Sequence, residues 1–297
     1  MSTTLSPSSS FPTQVDWRRA VGRHWPLFVG FLVLLVPTIV GLGREVWSME
    51  IGAHGPIVLA TGLWLVSQRL GDMRAKATAP SPLIVVLLLL LSLPVYIFGR
   101  AYDFISLEAA GVYGAMITLV LVLVGWRALR DNLFPFLYLG FLVPPPGWLI
   151  DQVTAPLRHL VSAAAMGVLE PFNYPIQREG VTLFIGSYQL LVEDACAGMN
   201  SIVGLTAITL FYIYLMHRAS WRYSLLLVAL IVPVAVFVNI LRVTALILLT
   251  YYAGDAVAQG FLHATTGMVL FALALGAMFG LDWLLGRTIG HRLGARA

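Results

Sequence analysis

The stretch YSLLLVALIVPVAVFVNILRVTALILLT, from Tyr223 to Thr250, decides the class of fold to which this chain belongs. Its 28 residues exceed the roughly 20 apolar residues that an α-helix needs to cross a bilayer. One charged residue, Arg242, stands inside the run. The stretch therefore predicts a transmembrane helix that carries an arginine within the membrane.

The composition of the whole chain points to the same class. Of its 297 residues, 59% are hydrophobic and 11% are charged, whereas a soluble domain carries about 25% charged residues. The net charge of +4 suits the basic loops of a membrane protein, so it gives no reason to expect a nucleic-acid partner. A single cysteine excludes an internal disulfide, and the six histidines are scattered. We therefore expect no metal and no cofactor.

Apolar runs of suitable length recur along the chain and predict an all-α polytopic membrane protein with about eight transmembrane helices. Residues 1–25 are expected to be a disordered tail followed by a basic cytoplasmic segment, 26–285 a single transmembrane domain, and 286–297 a short cytoplasmic tail. The fifth run is the shortest, because three prolines follow it. The predicted spans are Pro26–Leu42, Gly52–Leu70, Ser81–Phe98, Phe104–Trp126, Leu133–Val143, Ala197–Met216, Tyr223–Thr250 and Gly260–Leu285.

The basic residues give this arrangement an orientation. With both termini in the cytoplasm, thirteen Lys and Arg side chains fall on the cytoplasmic side, only four fall outside, and Arg242 lies within a span. That asymmetry follows the positive-inside rule. The four outside residues are Arg44, Arg100, Arg158 and Arg178.

The longest outside segment, residues 144–195, has a pattern of its own. Apolar residues recur at helical spacing from Ile150 to Val168 and predict an amphipathic helix lying in the outer interface. From Val181 to Glu193 the pattern changes to a period of two, with Gly186-Ser187 as a turn, which predicts a β-hairpin. We expect the helix and the hairpin to form a small cap on the outer side.

The hairpin leads into EDACAGMNS, from Glu193 to Ser201, which contains the only cysteine. Asp194 is a favourable N-cap, so Cys196 would lie in the first turn of the next span. The helix N-terminus favours a thiolate there, but the two acidic neighbours oppose it. A lone cysteine is most often a small buried hydrophobic residue. Cys196 is therefore a candidate catalytic residue only in combination with other polar residues.

Two such residues are Arg242 and His263. In the predicted topology, Cys196, Arg242 and His263 all lie in the outer leaflet, on three consecutive antiparallel helices. An arginine within a span usually faces a cavity or a partner, although it can also snorkel or bond backbone carbonyls. A cysteine and a histidine are the nucleophile and base that acyl transfer requires, and an arginine can stabilise an oxyanion. Asn239, one turn before Arg242, is a supporting candidate together with Asp194 and Asn200.

These residues resemble the motifs of the exosortase and archaeosortase family of membrane transpeptidases. The resemblance extends from about Pro26 to Leu285, and its specific motifs lie in the last third of the chain. Ala197 is a departure, because many members of the family have serine at that position. The matching stretches are Ala195-Cys196-Ala197-Gly198, Asn239-Ile240-Leu241-Arg242, and His263 with Thr266-Gly267.

The resemblance implies a cysteine protease or transpeptidase of the plasma (inner) membrane, with its active site on the periplasmic side. It implies Cys196 as nucleophile, His263 as general base and acid, and Arg242 as stabiliser of the oxyanion. The substrates would be secreted proteins with a C-terminal sorting signal, made of a short motif such as Pro-Glu-Pro, a transmembrane helix and a basic cluster. Besides the lipid bilayer, a surface glycan or lipid would be a partner, as the acceptor of the cleaved protein.

Two other functions remain open from the residues alone. A non-catalytic transporter or assembly factor would use Arg242, Asn239 and His263 to line a substrate path, and it leaves Cys196 without a role. A membrane O-acyltransferase would use His263 with Asn239. Both alternatives predict that Cys196→Ala is tolerated, whereas a transpeptidase requires the thiol.

Overall fold

A computed structural model describes residues 22, 24–49, 52–186, 188–191, 201–216, 221–259 and 261–288 of the chain. At residues 191, 201, 202, 221, 255, 259 and 261–271 the description covers the backbone alone. The chain divides into two compact units. The first unit comprises Met1–Val40 and Thr61–Gly140, and the second comprises Gly41–Ala60 and Phe141–Ala297.

The described part is mostly helical. A five-residue π-helical segment, Leu42–Val46, continues the first helix, and short 3₁₀ segments follow α5 and α6. The helices are α1 (Trp25–Gly41), α2 (Gly55–Ala75), α3 (Pro82–Ala101), α4 (Ile105–Asp131), α5 (Leu133–Leu139), α6 (Gly147–Leu169), α7 (Ser201–Met216), α8 (Trp221–Ala253), α9 (Asp255–Gln259) and α10 (Phe261–Thr288).

Several of these helices are long and apolar enough to cross a membrane. Among the described residues, four meet that test by length and composition, and the number rises to five if Leu133–Leu142 and Gly147–Phe172 count as one broken span. A helix lies at each of the eight predicted positions, but the prediction that all eight cross the membrane remains a prediction. The four are Trp25–Val46, Pro82–Ala101, Ile105–Asp131 and Arg222–Ala253.

In the first unit, α3 and α4 form a close hairpin because glycines leave room for the neighbouring backbone. A Cβ atom on Gly111 would lie 2.6 Å from the backbone nitrogen of Tyr96, and one on Gly99 would lie 2.3 Å from that of Glu108. Small residues allow this kind of approach between membrane helices. Glu108 is buried at the contact, and the hydroxyl of Thr38 donates to its Oε1 at 2.6 Å. This polar bond ties α1 to the hairpin.

Helix α4 is broken at Gly125, close to the end of the predicted span Phe104–Trp126. Gly125 has a φ of +76°, a conformation that glycine adopts without strain. A Cβ at this position would also lie 2.4 Å from the carbonyl oxygen of Thr78. The amide of Thr78 donates to the carbonyl of Val124 at 3.0 Å, so the segment before α3 occupies the break.

In the second unit, α7, α8 and α10 share a hydrophobic core. The chain turns back between α8 and α10 through the short helix α9, which makes these two long helices antiparallel neighbours. Their shared side chains lie in the middle of α8, well before its C-terminal end. The buried members of this core are Leu205 of α7, Ile231, Val234 and Val238 of α8, and Ala274 and Met278 of α10.

The segment between α6 and α7 contains a small sheet, as the hairpin prediction required, and one strand more than predicted. The strands are β1 (Ile176–Glu179), β2 (Thr182–Ile185) and β3 (Tyr188–Leu191), in the order β1-β2-β3 and antiparallel throughout. Gly186, at the turn, has a φ of +58°. The alternation of β2 is real, because Leu183 and Ile185 are fully buried while Thr182 and Phe184 are half-buried.

The sheet and α6 pack together against the C-terminal third of α8. We call α6 with β1–β3 the cap. On α6, the predicted apolar residues Val153, Leu160 and Val168 are exposed, which is where an interfacial helix would meet lipid. The buried members of the cap's core are Val161, Ala165 and Leu169 of α6, Ile176, Leu183 and Ile185 of the sheet, and Val243, Leu246 and Ile247 of α8.

Candidate active site

Arg242 and Asn239 lie one turn apart on α8, and both are buried. The side chain of Arg242 is 3% exposed and that of Asn239 is 4% exposed. Neighbouring positions such as Leu241 and Phe237 are exposed at 39% and 59%. The polar residues therefore face the interior of the second unit, and the large apolar residues of the same helix face outward. Polar residues within a membrane span usually face the interior of the helix bundle in this way.

Arg242 lies between two different parts of the protein core. Val238, four residues before it, packs against α7 and α10. Val243, the next residue, packs against α6 and the sheet of the cap. Arg242 therefore lies on the part of α8 where the cap meets the core shared by α7, α8 and α10. The hairpin prediction is confirmed, and the structure adds a contact between the sheet and the helix that carries Arg242.

His263 belongs to the first turn of α10, where the description covers the backbone alone. The core shared by α7, α8 and α10 gives a reference point for the positions of Arg242 and His263 along their helices. Arg242 lies 4 to 11 residues beyond the α8 members of that core, and His263 lies 11 to 15 residues before the α10 members. At about 1.5 Å per residue, both are on the same side of the core, with His263 roughly one to two turns further out.

Cys196, Asp194 and Asn200 lie outside the described residues. The neighbouring described elements are β3, which ends at Leu191, and α7, which begins at Ser201. Both belong to the second unit, as do Arg242 and the backbone of His263. The predicted convergence of Cys196, Arg242 and His263 stays a prediction.

One histidine near α7 was not singled out by the sequence. His54 lies in the turn before α2, within the second unit, and a Cβ atom added to Gly204 of α7 would lie 3.4 Å from its Nδ1. Gly204 follows the EDACAGMNS motif by three residues. A single histidine in the sequence does not indicate a functional site by itself. The one sequence feature that accompanies this contact is the glycine at position 204.

No group of three or more His, Cys, Asp or Glu side chains within the described residues could hold a metal ion. Arg242 places a guanidinium among the buried residues of α8, since it is only 3% exposed. A fixed positive charge in a site that excludes water interacts strongly with a developing negative charge.

Several apolar helices, one of which carries a buried arginine and a buried asparagine, define the class as a polytopic membrane protein. The chain matches the profile of the transmembrane exosortase family (EpsH type) over residues 46–280. It therefore belongs to that family, and the resemblance drawn from its motifs is confirmed. No curated protein and no solved structure gives a significant match.

Proposed function

We propose that this protein is a membrane cysteine transpeptidase that cleaves the C-terminal sorting signal of secreted proteins. The signal would combine a short motif such as Pro-Glu-Pro, a transmembrane helix and a basic cluster, as the family resemblance implies. The substrate's helix lies in the bilayer, and its scissile region faces the periplasmic side. Both termini of the enzyme are cytoplasmic in this proposal, and the enzyme is a multi-pass protein of the inner membrane.

In the first half of the reaction, the Cys196 sulfur attacks the carbonyl carbon of the scissile peptide bond. His263 takes the thiol proton, and the carbonyl oxygen becomes an oxyanion that Arg242 stabilises. The carbon–nitrogen bond then breaks, and His263 returns the proton to the departing amine. The products are a thioester between Cys196 and the secreted protein, and the released signal helix.

In the second half, an acceptor nucleophile attacks the thioester. A hydroxyl or amine of a surface glycan or lipid would give a transferred product, and water would give a hydrolysed one. His263 removes the proton from the acceptor, and the carbon–sulfur bond breaks to restore the Cys196 thiol. Asn239, Asp194 and Asn200 are supporting polar groups for this site.

The burial of Arg242 carries the proposal. A charged side chain at the centre of a membrane helix costs about 2.5–3.5 kcal/mol on insertion scales. Arg242 does not escape that cost by exposure, because its side chain is 3% exposed. Asn239 is buried on the same side of the helix. A protein of the exosortase family that keeps such a group inside its core has a use for a fixed cation, and stabilising an oxyanion is one that acyl transfer requires.

The proposal is tested with the full-length protein in membranes, together with a secreted substrate that carries a sorting signal. Substrate-linked enzyme is trapped, cleaved with neutral hydroxylamine, and mapped by mass spectrometry. We expect the adduct on Cys196. Cys196→Ser should fail to process substrate, since a serine hydroxyl is far harder to ionise than a thiol.

The matched control is Ala197→Ser, which adds the same hydroxyl one residue away and should retain processing. Normal processing by Cys196→Ala would refute the nucleophile assignment. The transporter and the O-acyltransferase would then be the functions to test, since neither depends on the thiol.

A further inference from the structure

Three polar side chains from three helices of the second unit meet at one point far from Arg242. The hydroxyl of Tyr223, on α8, donates to the Oδ1 of Asp282 on α10 at 2.7 Å, and also to its backbone carbonyl at 3.0 Å. The hydroxyl of Tyr212, on α7, donates to the Oδ2 of the same carboxylate. Both carboxylate oxygens thus accept a phenolic hydrogen bond. We call these three residues the Asp282 cluster.

Packing around the cluster favours this geometry. The ring of Tyr212 packs against that of Phe279, one turn before Asp282, with centroids 4.8 Å apart. Tyr223 is fully buried. Gly286, one turn after Asp282, leaves room for the Tyr223 hydroxyl, since a Cβ there would lie 3.7 Å from it. Each phenol is therefore supported by a packing contact, and each binds a different oxygen of the carboxylate.

The cluster joins the same three helices that carry the proposed catalytic residues. Cys196 precedes α7, Arg242 lies on α8, and His263 lies on α10. Arg242 and Tyr223 are 19 residues apart, as are His263 and Asp282, which corresponds to about 29 Å along each helix. Tyr212 lies 11 residues after the start of α7. The cluster is thus near the opposite end of the bundle from the candidate site.

A carboxylate at this contact is not what hydrophobic packing alone would select. The best-attested role of polar side chains between packed helices is to fix register, a role that apolar residues of similar volume do not perform. Hydrogen bonds need short donor–acceptor distances and near-linear geometry, so two phenols on one carboxyl group favour a single arrangement of their helices. Sliding any one of the three helices by about 1.5 Å, the rise of one residue, would misalign a phenol–carboxylate bond.

We propose that Asp282, Tyr212 and Tyr223 are positioning residues for catalysis, which fix the axial register of α7, α8 and α10 and thereby align Cys196, Arg242 and His263. The inference rests on the proposed function for its catalytic part. The register itself is a property of the bundle and is measured separately. A misplacement of about 1 Å at the site is enough to reduce a rate about 100-fold.

The register is tested by the distance between two spin labels at Leu241→Cys on α8 and Leu273→Cys on α10, in a Cys196→Ala background. Both leucines are exposed, at 39% and 46%, so the labels do not disturb the core. Tyr223→Phe keeps the ring and removes its hydroxyl. We expect it to broaden or shift the distance distribution, and Asp282→Asn to do the same.

The matched control is Tyr113→Phe, which removes a phenol that donates to the carbonyl of Phe136 at 2.9 Å in the first unit. It should leave the distance unchanged. An unchanged distance in both Tyr223→Phe and Asp282→Asn would overturn the proposal, whether or not Cys196 is the nucleophile, because this measurement needs no reaction.

The catalytic part is tested by the rate of thioester formation at saturating substrate. Tyr223→Phe and Asp282→Asn should each lower it at least 10-fold, with KM changed less than 2-fold. Adding Tyr212→Phe to Asp282→Asn should lower it little further, because the partners act as one unit. A changed distance with a rate equal to that of Tyr113→Phe would overturn the catalytic role, and normal processing by Cys196→Ala would refute the proposed function separately.

Discussion

Arg242 directly precedes Val243 on α8, and both residues are buried where two cores of the second unit adjoin along this helix. Val243 is 1% exposed and belongs to the core that joins the cap to α8. Arg242 is 3% exposed and follows the turn of α8 that packs on α7 and α10. The core of the cap therefore contacts α8 at the residue next to Arg242.

The first prediction concerns the chemistry of Arg242. Arg242→Ala should abolish processing, and Arg242→Lys should fail to restore it, because the planar guanidinium holds an oxyanion at two points and an ammonium does not. The measurement is the rate of thioester formation, corrected for the amount of protein in the membrane. Arg287→Ala is the control, since Arg287 stacks on Trp283 at 4.0 Å near the far end of α10. Full processing by Arg242→Lys would show that any positive charge at this position is sufficient.

The second prediction concerns the attachment of the cap. Leu183 is fully buried against α6 and α8, so Leu183→Ala should destabilise the second unit by about 2–5 kcal/mol. Thermal unfolding of the detergent-solubilised protein measures the loss. Gln177→Ala, at an exposed position of β1, is the control and should change stability by less than about 0.5 kcal/mol. Equal melting temperatures for the two variants would show that the cap core contributes nothing.

Long apolar runs predicted most of the helices, and helical periodicity predicted α6, because the apolar side chains of a membrane protein face lipid or core. The period of two predicted β2, whose alternation follows from one buried face, and the turn at Gly186 predicted β3 as its hairpin partner. The same pattern missed β1, where one buried residue, Ile176, is followed by three exposed ones. Pairing with β2 forms that strand through backbone bonds, and backbone bonds leave no mark in the side-chain pattern.

The candidate site was predictable only in part. A lone arginine within an apolar run is conspicuous, and both its burial and that of Asn239 follow from the cost of exposing polar groups to lipid. The Asp282 cluster was not predictable, because its members are separated by up to 70 residues and tyrosines are ordinary at the ends of membrane helices. Only the packing of three helices brings the two phenols onto one carboxylate.

A third prediction concerns the glycines between α3 and α4. Gly111→Ala should destabilise the first unit, because the new Cβ would lie 2.6 Å from the backbone of Tyr96 and backbone atoms cannot move aside cheaply. Gly71→Ala is the opposite case, because no atom lies within 4 Å of a Cβ at that position of α2. It should stabilise the protein by about 0.5–1 kcal/mol. Thermal unfolding should therefore shift in opposite directions, and a rise for both would contradict the close hairpin.

A fourth prediction concerns topology. Two variants, Ser187→Cys and Ser220→Cys, each carry a single cysteine in a Cys196→Ala background. On spheroplasts they should react differently with a membrane-impermeant thiol reagent. The split of basic residues puts Ser187 outside and Ser220 in the cytoplasm. We expect labelling at Ser187→Cys alone, with labelling at both after lysis. Equal labelling of both sites before lysis would contradict the eight-span arrangement.

The last prediction separates a catalytic role of His263 from a structural one. A placed general base contributes about 100- to 10,000-fold, so His263→Ala should slow thioester formation by that factor at neutral pH. Above a pH of about 8.5 an ordinary cysteine ionises without help, so the deficit of the variant should shrink as the pH rises. His159→Ala, at an exposed histidine of α6, is the control and should match the unchanged protein at every pH. If the deficit of His263→Ala were the same at pH 7 and above pH 9, removal of the thiol proton would not be what His263 provides. Its effect would then have to come from packing at the start of α10, which does not change with pH.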